Sequence, residues 1–83
     1  MKNSIIVIFE REKTGQSIDI EVPLQITAND LIYALNSGLN LGINLEDISK
    51  CYLSCENPIA LLRGNQTLEE LGLRDGSRIC FNQ

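Results

Sequence analysis

The stretch from Ile5 to Phe9 is apolar at every position. It is far too short to cross a bilayer, which takes ~20 apolar residues, and a strand apolar on both faces belongs in the middle of a sheet. Either Ile5, Val7 and Phe9 or Ile6 and Ile8 must then lie on the side away from the main core. The two sets stay open at this point, with Ile6 and Ile8 the preferred outer pair. A second arm follows a polar stretch containing Gly15, and here the alternation is clean: Ile18, Ile20 and Val22 on one face, Asp19 and Glu21 on the other. Pro23 ends it, because proline cannot donate to a ladder. The first two elements therefore read as a hairpin.

A helical period occurs next. Leu31, Ile32, Leu35 and Leu39 fall on one helix face, and Thr27 with Asp30 supplies an N-terminal cap and an acidic residue at the positive end of the dipole. Asn36, Ser37, Gly38, Asn40 and Gly42 weaken the helix, so it should stop between Ser37 and Leu41. A short turn is expected around Leu45 to Ser49. KCYLSCE, from Lys50 to Glu56, reads as a third strand with Cys51, Leu53 and Cys55 on one face and Tyr52 and Ser54 on the other. Asn57 and Pro58 signal a turn, and Ile59 to Leu62 a short fourth strand. Thr67 is placed to cap one turn carrying Leu68, Leu71 and Leu73 inward. Asp75 and Gly76 form another turn before SRICF, whose Ile79 and Phe81 should face the core and whose Arg78 and Cys80 should face out.

Strand, strand, helix, strand, strand, turn, strand is an α+β pattern, with one helix covering one face of a mixed sheet of about five strands. A chain of 83 residues makes a single domain, 1–83. At this length only about two-thirds of the unfolded surface is buried, which leaves no room for a deep cleft.

Charge and composition narrow the function classes. Seven basic against eleven acidic residues give a net charge of −4, with the basic residues scattered, so nucleic acid and anionic membrane surfaces are poor partners. No secretory leader pattern is visible, which makes the cytoplasm the expected compartment. The chain has no histidine, which removes the commonest general base, metal ligand and partner for a nucleophilic cysteine. Three cysteines do not make a tetrahedral zinc site, so no metal and no cofactor is expected. Along one strand Cys51 and Cys55 would stand roughly 13 Å apart, whereas bridged Cα atoms lie within about 7 Å. Cys51 and Cys55 are expected in the core. Cys80 is an outer-face thiol with only Arg78 nearby to activate it. Glu46 and Asp47, and Glu69 and Glu70, are sequence neighbours that do not converge on a point, so no catalytic residue is assigned. What remains is surface: Ile6, Ile8, Tyr52, Arg78 and Cys80 are expected on the uncovered sheet face as a candidate protein-binding patch.

The element order and the closing stretch resemble the ubiquitin-like β-grasp fold, on Leu68, Gly72, Leu73, Asp75, Gly76 and Ile79. Within that group the chain is similar to the YukD-like proteins of bacterial type VII secretion systems, through the hairpin with its Gly-containing turn, the SIDIEVP arm, the helix after ITAND and the ending LGLRDGSRICF. The resemblance implies a non-catalytic accessory or regulatory module that binds cytoplasmic parts of a membrane secretion machinery. Separately from it, a weak homodimer is allowed for. The resemblance also implies that the chain is not conjugated to targets. Ubiquitin-like carriers present a flexible Gly-Gly end, and no Gly-Gly dipeptide occurs in these 83 residues. A diverged sulfur carrier or protein modifier with an atypical terminus is the alternative. It would require a mobile arm, whereas Phe81 is expected in the core.

Overall fold

The computed structural model describes residues 3–81. Strands β1 (Ser4–Arg11) and β2 (Gln16–Pro23) form the hairpin, helix α1 (Ala28–Leu39) follows, and β3 (Leu53–Glu56), β4 (Ala60–Leu62) and β5 (Arg78–Phe81) complete a sheet of order β2-β1-β5-β3-β4. β1 and β5 run parallel at the centre; every other pairing is antiparallel. The apolar run is thus central because it has a neighbour on both edges.

Register decides which of its faces is buried. Ile6 stands opposite Glu21 and Ile8 opposite Asp19. Directly opposed residues share a face, so burying Ile6 and Ile8 would bury two carboxylates. Ile5, Val7 and Phe9 go inward instead, and Ile6 is left 52% exposed.

The Thr27 hydroxyl accepts from the Asp30 N–H at 3.1 Å, which caps α1 as expected. The helix lays Leu31, Ile32 and Leu35 on the sheet, with Leu39 half-buried. It ends at Asn40, whose φ of 52° lies in the left-handed region, and Leu41 N–H reaches back to the Asn36 carbonyl. The Asn36 side chain then replaces a missing ladder rung: its Oδ1 accepts from Ile43 N–H at 2.8 Å and its amide donates to the Ile43 carbonyl.

β3 begins later than the sequence suggests. The Asp47 side chain caps a 3₁₀ turn over Ile48–Lys50, and the N–H groups of Lys50 and Cys51 donate to Asp47 and Ile48 carbonyls. Those donors are used locally and cannot join a ladder, so the strand starts at Leu53. Thr67 and Glu70 form a reciprocal capping box, Thr67 N–H to Glu70 Oε1 and Glu70 N–H to Thr67 Oγ1. The turn so fixed sends Leu68 and Leu73 into the core, with Leu71 at its margin. Phe81 is 4% exposed and its carbonyl accepts from Glu12 N–H, so the chain is anchored through this residue. Asn82 and Gln83, on which the expectation of a tailless end also bears, lie outside the described residues.

Candidate interaction surface

The sheet face not covered by α1 can be read row by row from the registers. One row runs Asp19, Ile8, Arg78, Glu56; the next runs Ser17, Glu10, Cys80, Ser54, Leu61. Ile6 sits a step before the first row, beside the turn that leads into β5. There Asp75 Oδ1 accepts from Ile6 N–H and Gly76 N–H donates to the Ile6 carbonyl, each at 2.9 Å. Gly76 has φ of +87°, a conformation that admits glycine readily and lets the turn lie along β1. Ile6 and Ile8 thereby floor a shallow hollow of about 490 Å³ whose rim carries Asp19, Glu21 and Asp75.

Arg78 lies beside this hollow but is engaged. Its guanidinium pairs with Glu10 Oε2 at 2.5 Å, both side chains being partly exposed. Cys80 corrects the sequence reading. It is on the outer face, as the alternation requires, yet it is 4% exposed, because long acidic side chains of neighbouring strands close over it. Its thiol donates to Glu56 Oε1 at 3.6 Å. Burial, that hydrogen bond and the charges of Glu56, Glu10 and Glu12 push its pKa up to about 11. This is the opposite of the environment that makes a thiol reactive.

Tyr52 does not join the others. It precedes β3, is 42% exposed, and lines a separate hollow with Ile43, Asn44, Glu46, Asp47 and Lys50. Extrapolating the rows puts it roughly 20 Å along the strand direction from Ile6. The structure therefore brings together Ile6, Ile8, Arg78 and Cys80, the last beneath the surface, and leaves Tyr52 apart.

Sequence reasoning missed Ile59 and Leu61, which are 94% and 53% exposed at the β4 edge. The signal was present: with Leu62 buried, alternation through Ile59 to Leu62 forces the other set outward.

Chemically the face offers little. Glu10, Glu12 and Cys80 bring ligand atoms within 4.8 Å of one another, a grouping that spacing along the chain did not reveal. Glu10 is already paired with Arg78, and the thiol holds its proton. Cys51, Cys55 and Cys80 are all free and buried, and burial with the nearby Glu56 charge raises Cys55 to about 11 as well. No buried side-chain nitrogen or oxygen among the described residues lacks a partner. No helix among them is long and apolar enough to cross a membrane.

A five-stranded mixed sheet of this order, grasped by one helix, defines a ubiquitin-like protein. Solved structures agree. A ubiquitin-like domain of tubulin-binding cofactor B matches with a TM-score of 0.72 at 22% identity, over 96% of this chain and 89% of its own. The ubiquitin-like domain of yeast Ddi1 matches at 0.67 with 27% identity, over 95% and 90%. The C-terminal ubiquitin-like domain of mouse tubulin-specific chaperone e matches at 0.72 with 15% identity, over 94% and 84%. No curated protein matches by sequence. The model of the family described as "WXG100 protein secretion system (Wss), protein YukD" matches residues 5–81, and the chain belongs to that family.

Proposed function

We propose that this chain is a non-catalytic accessory module of a type VII secretion system, working in the cytoplasm by binding protein parts of the membrane machinery. Membership of the YukD family supports the secretion context. The observation that carries the binding role is the Ile6 and Ile8 hollow on the helix-free sheet face, where an apolar floor of exposed Ile6 and half-buried Ile8 meets a rim of carboxylates. Such a floor is suited to an apolar side chain of a partner, with the rim selecting its surroundings.

The test is Ile6→Asp introduced at the native locus, with the purified variant's thermal unfolding measured alongside. Loss of secretion of the system's small WXG100 substrates at normal cellular levels of a folded variant is the expected result. Normal secretion by this variant removes the Ile6 face from the proposal, and normal secretion by a deletion strain removes the secretion role. Intact-mass analysis of the chain recovered from its host should show no C-terminal adduct. A thioester, thiocarboxylate or isopeptide product would establish a carrier instead.

A further inference from the structure

The β2 edge of the sheet carries two complementary features side by side. β2 ends the strand order and is paired on one side only, with β1. Leu24 N–H donates to the Asn3 carbonyl at 3.0 Å, one step beyond the Ser4 to Pro23 pair. Hydrogen-bonded and non-bonded pairs alternate in an antiparallel ladder, so Val22, Ile20 and Ile18 turn their main-chain groups to β1. Ser17, Asp19 and Glu21 turn theirs outward. Ile6 and Ile8, opposite Glu21 and Asp19, agree: their N–H groups point the other way, to Asp75 and Ser77. The edge thus offers three N–H and three C=O groups in strand spacing.

Beside that edge runs an apolar groove of about 280 Å³ between β2 and α1, lined by Ile20, Val22, Ile26, Leu31, Ala34 and Leu35. On the other face of the same strand stand Asp19 and Glu21, both exposed, and no ion pair among the described residues involves either. The two faces therefore ask for different side chains.

We propose that the β2 edge accepts an extended segment of a partner protein in which apolar residues alternate with Lys or Arg. Added as a further strand, such a segment takes up the three outward main-chain positions. Its apolar set enters the groove beside Ile20 and Val22, and its basic set stands across from Asp19 and Glu21. A second copy of this chain fits worse, because β2 against β2 sets carboxylates against carboxylates. The β2 edge shares Asp19 and Glu21 with the rim of the Ile6 hollow, but its outward main-chain groups and the α1-side groove are its own.

The test uses the isotope-labelled chain and the end-blocked peptide Gly-Val-Lys-Ile-Lys-Val-Gly, with Gly-Val-Glu-Ile-Glu-Val-Gly as control. Amide hydrogen exchange at Ser17, Asp19 and Glu21 should slow on adding the lysine peptide, and the glutamate peptide should bind more weakly. The double variant Asp19→Lys with Glu21→Lys, at exposed positions where Glu21 gives up its bond from the Ser4 hydroxyl and with its thermal unfolding measured alongside, should reverse the preference, each change on the order of tenfold, as two cross-strand charge pairs allow. No slowing at those three amides at millimolar peptide, slowing at the Ile59 to Leu62 edge instead, equal binding of both peptides, or a preference unchanged in the double variant overturns the proposal. Failure here leaves the Ile6→Asp secretion result intact, so the two readings fail separately.

Discussion

The Ser77 hydroxyl donates to the main-chain carbonyl of Asn57 at 2.7 Å and accepts from the Arg74 N–H at 3.0 Å. Ser77 is 0% exposed and is the buried polar side chain of the structure's described core. One hydroxyl thereby ties the turn entering β5 to the turn joining β3 and β4, and sets where Arg78 emerges. Ser77→Ala should cost about 1–3 kcal/mol, the penalty for stranding partly buried partners. Denaturant unfolding measures it, and a loss under about 0.3 kcal/mol would mean water replaces the hydroxyl freely.

Leu35 and Ile59 make a matched pair for the core assignment. Leu35 is 7% exposed under α1, whereas Ile59 is 94% exposed at the sheet edge. Leu35→Ala should lose about 2–5 kcal/mol through lost transfer energy and a residual cavity. Ile59→Ser should stay within about 0.5 kcal/mol of the parent. Equal losses in urea titrations would contradict the burial of α1.

The hairpin and helix were legible because their patterns are long: Ile18, Ile20 and Val22 alternate, and Leu31, Ile32 and Leu35 keep the helical period. The inner set of β1 needed register, which comes from pairing and not from β1 itself. The start of β3 was hidden by a local competitor, the 3₁₀ turn that Asp47 caps, whose main-chain carbonyls at Asp47 and Ile48 take the donors at Lys50 and Cys51 that the strand pattern assigned to the ladder. At the candidate surface, alternation placed Cys80 on the correct face but said nothing about what lies over it. Exposure depends on the long side chains of adjacent strands, and those adjacencies are tertiary.

The buried thiols give a pH prediction with a definite sign. Cys55 and Cys80 are raised from 9.0 to about 11 in the folded chain. Between those values the unfolded thiols ionise while the folded ones keep their protons, so stability is full below pH 9.0 and declines as pH rises toward about 11. Thermal melts across this window should show the decline, and it should shrink in a Cys55→Ala, Cys80→Ala double variant. Alkylation near pH ~7 should be slow in the folded state and fast in guanidinium, since the thiolate is the nucleophile. Rapid labelling of native Cys80 would contradict its cover of carboxylates.

Arg78 and Glu10 pair across the outer face with side chains 40% and 27% exposed. At that exposure solvent screens most of the attraction, and a double-mutant cycle with Arg78→Met and Glu10→Gln should return about 0.2–1 kcal/mol, less at high salt. The single changes should differ, however. Losing Glu10 frees Arg78 beside Ile8, placing an unpaired cation against the acidic hollow, while losing Arg78 leaves Glu10 beside Cys80, where its charge already helps hold the thiol protonated. Arg78→Met should therefore raise the Cys80 pKa further and Glu10→Gln should lower it, read by the pH dependence of native-state alkylation in a chain with Cys51 and Cys55 replaced by alanine. Equal and parallel shifts from the two variants would mean that the charges around Cys80 do not govern its proton.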